Sequence, residues 1–133
     1  MKVDLVVKGI ILDKQHKKVL LLKRSPKEDI GIGTWENVGG AVEEGESLEE
    51  ALRREIREEA GLSVKVENLA YASQVGSMII LVYYCVCEGG TVTLSEEHSE
   101  ARWAGKHECM ELLEGGIAED FFKNGVYNLL DSE

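Results

Sequence analysis

The chain has 133 residues, 44% of them apolar, and a formal net charge of −10. That length suits a single domain, 1–133, and the apolar content suffices for a packed core. The acidic balance counts against broad binding to nucleic-acid backbones or anionic membranes, but leaves small phosphorylated substrates open, since bound divalent cations reverse a local field.

The N-terminal stretch MKVDLVVKGIILD carries charge at Lys2, Asp4 and Lys8, so no secretory h-region is expected there. No apolar run approaches the roughly 20 residues that span a membrane, and a cytoplasmic protein is expected. Residues 3–12 are rich in β-branched side chains and read as a strand. Residues 14–17 form a polar turn, and Lys18–Arg24 resumes as a second strand. The segment 25–34, with Pro26, Gly31 and Gly33, is a loop. Residues 35–38 are short and extended and lead into a Gly39-Gly40 turn.

Residues 47–60 form a helix with signals at both ends. Ser47 serves as N-cap, Glu49 and Glu50 favour the first turn, and Gly61 supplies the stop. Residues 62–75 and 77–87 are two long strands, the second too apolar for an edge. A turn at Gly89-Gly90 precedes a short strand at 91–94, and His98–Ala104 is extended. Helices at 108–113 and 118–130 close the chain. Cys85, Cys87 and Cys109 form neither an even disulfide set nor a CxxC pair, and Cys85 and Cys87 read as reduced, buried packing residues. His16, His98 and His107 stand among polar neighbours, where surface roles are expected. The mixed order of strands and few helices indicates an α/β sandwich with a mixed sheet, not a βαβ repeat.

The charge is concentrated in residues 40–62, which hold eight glutamates and three arginines, a net of −5. On a helical wheel at about 100° per residue, Leu48, Ala51, Leu52, Ile56 and Ala60 form the inward arc. Glu55 and Glu59 fall inside that arc and Glu58 at its margin, while Glu49, Glu50, Arg53 and Arg57 face away. Three carboxylates thus converge where a structural helix would carry leucine. Burying them unpaired is strongly unfavourable, and clustered anions raise one another's pKa. Arg54 reaches Glu58 at i+4 but cannot neutralise three carboxylates. A hard, oxygen-seeking ion such as Mg²⁺ or Mn²⁺ can.

The segment GAVEEGESLEEALRREIREEAGL resembles the complete box of the MutT/Nudix hydrolases, G-x5-E-x7-R-E-U-x-E-E-x-G-U with U aliphatic. Gly40, Glu46, Arg54, Glu55, Ile56, Glu58, Glu59, Gly61 and Leu62 fill the specified positions. The flanks LLLKRS and TWENVGG resemble the family's strand-loop-strand lead into the box. One departure is Val38, where many relatives have proline before the double glycine.

The resemblance implies the family's α/β/α sandwich and a pyrophosphohydrolase in which metal-activated water attacks phosphorus of a nucleoside diphosphate linked to another group. It implies Glu55, Glu58 and Glu59 as carboxylate ligands of Mg²⁺, with Mn²⁺ an alternative, and the Gly40 carbonyl as a further ligand. Glu46 and Arg54 would fix the loop and the helix carboxylates. The general base is either Glu55 or a carboxylate in SEEHSEARW, where Glu96, Glu97 and Glu100 precede Trp103; Glu100 is the first choice. Lys23 and Arg24, ending the second strand, are candidates for phosphate oxygens. Trp35 suits either base stacking or the core, and of Tyr83 and Tyr84 at most one faces a cleft.

Marks outside the box separate subfamilies. The proline of ADP-ribose hydrolases, the tyrosine of dinucleoside polyphosphate hydrolases, and the coenzyme A and NADH marks are absent. Elimination leaves a MutT-like nucleoside triphosphate pyrophosphohydrolase acting on a small-molecule nucleotide. The alternatives are a nucleotide-sugar hydrolase, an inactive nucleotide-binding or sensor module, or an acidic interaction protein; a degenerate module would not need all three helix glutamates. Many relatives are homodimers, though no residue here marks an interface.

Overall fold

A computed structural model describes residues 2–27 and 31–133. The middle of the expected loop at 25–34 lies outside the described residues. Among the described residues, seven strands follow one another as β1 (Asp4–Asp13), β2 (Lys18–Arg24), β3 (Trp35–Glu36), β4 (Val38–Ala41), β5 (Ser63–Val75), β6 (Met78–Gly89) and β7 (His98–Ala104). Among the same residues, three helices, α1 (Leu48–Ala60), α2 (Lys106–Leu112) and α3 (Gly115–Lys123), precede a 3-10 turn at Val126–Leu129.

The sheet is mixed. Its main path runs β3-β2-β1-β6-β5, with β4 on β1 and β7 on β2. β1 and β6 are parallel, while the other pairs are antiparallel. β6 lies between β1 and β5, as its apolar sequence requires.

β1 and β2 pair only at Leu12–Asp13 and then diverge. The segment carrying β3 and β4 fills the gap, β3 pairing with β2 and β4 with β1. Gly39 and Gly40 therefore lie in a strand, opposite Lys8 and Val7, and not in a turn as expected. The reason is close approach: a side chain on Gly39 would collide with the Val7 carbonyl.

Both sheet faces are covered, so β1 and β2 are apolar at successive positions. Val7, Ile11, Leu20 and Leu22 pack with Ala51, Leu52, Ile56 and Ala60 of α1. Ile10, Leu12, Val19 and Leu21 pack on the other face with Cys109, Leu113, Phe121, Val126 and Leu130. This is an α/β/α sandwich.

Three further expectations are corrected. Residues 91–94 form no strand; the Thr93 N–H bonds the Ala60 carbonyl and satisfies the end of α1 instead of a ladder. The helix expected over 118–130 starts at Gly115 and stops at Lys123, because Gly125 takes φ 71° and breaks it. His98 is buried, not superficial. Cys85 and Cys109 are buried and free, and Cys87 is half-buried. Among the described residues, no helix is long and apolar enough to cross a membrane.

Candidate active site

Helix α1 begins as its sequence dictates. The Ser47 side chain accepts from the Glu50 N–H, and Gly61, in the left-handed region, sends its N–H to the Arg57 carbonyl. The arc from Ala51 to Ala60 enters the core. It sits so close to β1 that a Cβ on Gly9 would lie 3.2 Å from Ile56 Cδ1. The edge of that arc meets β4.

Glu59 is 5% exposed, and the Gly39 N–H donates to its Oε2 at 3.3 Å. Glu55 lies against Gly40, where an added Cβ would come within 2.6 Å of the Glu55 carboxyl carbon. Only glycine lets backbone and carboxylate share this space. Glu58 projects outward, its side chain 61% exposed.

Arg54 ties these groups to the preceding loop. Its Nε and Nη2 donate to the two oxygens of Glu46 at 2.7 and 2.9 Å, a bidentate pair. Nη1 donates to Glu55 at 2.9 Å and Glu58 at 3.3 Å, and Nη2 also reaches the Ala41 carbonyl. The guanidinium beside Glu46 holds that carboxyl below its usual range. Arg54 is thereby fully engaged. Glu59 gains little from it: burial first, then the neighbouring Glu55 and Glu97 charges, push its carboxyl up to about 8 against the opposing pull of Lys8. Buried oxygen ligands with repelling charges and a backbone packed against them fit a hard divalent cation.

The turn before β7 completes the group. Carboxylate oxygens of Glu59 and Glu97 and a ring nitrogen of His98 all lie within 4.8 Å of one another. Glu100 is not part of it. Its side chain bonds Arg102 at 3.4 Å, and Arg102 stacks 5.8 Å from the Trp35 ring, on the sheet face away from α1. The cause is a bulge: Lys23 pairs with Glu100 but Arg24 with His98, so one extra residue turns His98 toward α1 and leaves Glu100 opposite.

The same divergence separates Lys23 from Arg24. Lys23 aligns with Trp35 and Glu100. Arg24 donates to Glu36 at 3.1 Å and lines a cleft of about 330 Å³ with Lys8, Asn37, Tyr71, Ile80 and Asp120. Trp35 is buried in the core, and Tyr83 and Tyr84 pack on opposite faces.

Glu36 is the residue that sequence reading passed over. Burial would raise its carboxyl, but the His98 hydrogen bond, with Lys8 and Arg24 nearby, holds it at about 2. Its only sequence signal is a charge inside TWENVGG, and Lys8 is likewise a charge inside an apolar strand.

Residues 3–123 match the model of the NUDIX domain. The chain is 35% identical over 99 residues to the nucleoside triphosphatase NudI of Escherichia fergusonii, covering 63% of this chain and 70% of that protein. Among solved structures, it resembles the ORF135 protein of E. coli at a TM-score of 0.69 and 32% identity, covering 92% of this chain and 91% of that one. It also superposes on a MutT protein of Methanosarcina mazei Go1 at a TM-score of 0.78 and 24% identity, covering 96% of each chain.

Proposed function

The chain belongs to the Nudix family and is a pyrophosphohydrolase, and we propose that it uses Mg²⁺ to cleave nucleoside triphosphates into a nucleoside monophosphate and pyrophosphate. Members of the family work with divalent cations. The observation that carries the reading is the edge of α1, where Glu55 and Glu59 are pressed against Gly40 and Gly39. A relative of 35% identity named a nucleoside triphosphatase supports the choice of substrate.

In this reading Glu55, Glu58, Glu59 and the Gly40 carbonyl hold the ion, with Mn²⁺ able to replace Mg²⁺. When bound, the ion polarises phosphate oxygens and lowers the pKa of water. Arg54 and Glu46 keep the carboxylates and the loop in place through their bidentate pair. Arg24, at the cleft, steadies phosphate oxygens, whereas Lys23, one residue earlier, aligns with Trp35 and Glu100. The water oxygen attacks phosphorus, the bond to the departing pyrophosphate breaks, and the water's proton passes to a carboxylate outside the box. We assign that part to Glu97, beside Glu59, in preference to Glu100, which pairs with Arg102.

The test is a panel of nucleoside triphosphates, nucleotide sugars and dinucleotides, incubated with Mg²⁺ and analysed by mass. Nucleoside monophosphate with pyrophosphate is the expected outcome. Release of single orthophosphate, or turnover confined to nucleotide sugars, overturns the substrate reading.

A further inference from the structure

His98 is 4% exposed at the start of β7, turned toward α1 by the bulge after it. Its Nε2 lies 2.7 Å from Glu36 Oε2. Glu36 is itself met by Lys8 at 3.5 Å and Arg24 at 3.1 Å, so it is an anionic acceptor. An acceptor there places a proton on Nε2, and in the neutral imidazole the lone pair is then on Nδ1. That Nδ1 is buried and has no hydrogen-bond partner among the described residues. Buried nitrogens are seldom left so, because desolvation without a partner is unfavourable.

A histidine that gives one nitrogen to a carboxylate and keeps the other bare has the arrangement that metal-binding imidazoles adopt, the carboxylate fixing tautomer and ring orientation. The Glu59 and Glu97 carboxylates lie within 4.8 Å of a ring nitrogen. We propose that Glu59, Glu97 and His98 form a nitrogen-containing cation site for a borderline divalent ion of the Zn²⁺ or Co²⁺ class, with Glu36 as the residue that positions the imidazole. Imidazole nitrogen favours such ions, whereas Mg²⁺ keeps to oxygen ligands and water. Glu59 and Glu97 also belong to the hydrolytic group proposed above. An ion bound here therefore withdraws both from Mg²⁺-supported turnover.

The site is tested by binding alone, without nucleotide, so its failure leaves the hydrolysis reading untouched. The whole protein is titrated with Zn²⁺ in excess Mg²⁺ by calorimetry, and the ¹⁵N signals of the imidazoles are followed in the unmodified chain. One equivalent of Zn²⁺ is expected to bind and to move the His98 Nδ1 signal, while the exposed His16 and His107 keep their free positions. His98→Gln should weaken Zn²⁺ by about 100-fold and Glu36→Gln by about 10–100-fold. Unmoved His98 signals at saturating Zn²⁺, shifts at His16 and His107 alone, or equal affinity in folded His98→Gln each overturn the proposal. The ¹⁵N readout decides the matter should a variant fail to fold.

Discussion

Gly40 and Glu59 show how single atoms shape the proposed site. A Cβ on Gly40 would enter the space of the Glu55 carboxyl, 2.6 Å from its carbon. Gly40→Ala should displace Glu55 and lower kcat by about 100-fold, the scale on which displacement of about 1 Å acts, with the fold intact by circular dichroism. Full activity would mean that Glu55 need not touch the backbone. Glu59 allows a test in the cation-free protein. Its folded value of about 8 lies above the ordinary 4.5, so the native state holds the extra proton between those limits. The associated stability is complete below pH 4.5 and is lost as pH rises toward 8. Glu59→Gln should remove this slope in chelator-treated protein and raise stability at pH 9 on the order of a few kcal/mol. Thermal melts across pH that keep the wild-type slope in the variant would contradict it.

At the scale of elements, helix α1 was the most legible part of the chain. Ser47, the apolar arc and Gly61 state its start, its buried face and its stop, and Glu55 and Glu59 stand out because they interrupt that arc. Its coupling to the loop before it, through Arg54 and Glu46, also follows from the box. Arg54→Ala should release residues 42–46, speeding exchange of the Glu43 amide that now donates to Glu46, and lower kcat by about 100-fold. Arg54→Lys should not restore activity, since an ammonium makes no bidentate pair. Recovery by lysine would reduce Arg54 to a mere charge. What periodicity could not convey was the bulge in β7. Alternation along a strand puts His98 and Glu100 on one face; the slipped register puts them on opposite faces. Nor could local pattern tell that Gly39 and Gly40 extend β1's ladder, because glycine marks turns and close approach alike.

Across the whole molecule, the net charge of −10 is unevenly placed, and its inward share lies where the two diverging strands β1 and β2 are bridged by β3 and β4. The layered architecture was readable from the order of elements. The cluster of Lys8, Arg24, Glu36 and His98 was not, since it joins residues up to 90 positions apart in sequence by way of that divergence. If the proposed carboxylates hold a cation, its binding should stabilise the protein through mass action, by about 2.7 kcal/mol at one hundred times Kd. The most direct measurement follows ion binding and triphosphate hydrolysis together in the wild type and in Glu58→Gln and Glu59→Gln. Mg²⁺ should raise the wild-type Tm where NaCl of equal ionic strength does not, and both variants should lose Mg²⁺ affinity and at least about 100-fold in kcat while staying folded. Unchanged affinity and turnover in the two variants would contradict the account at its centre.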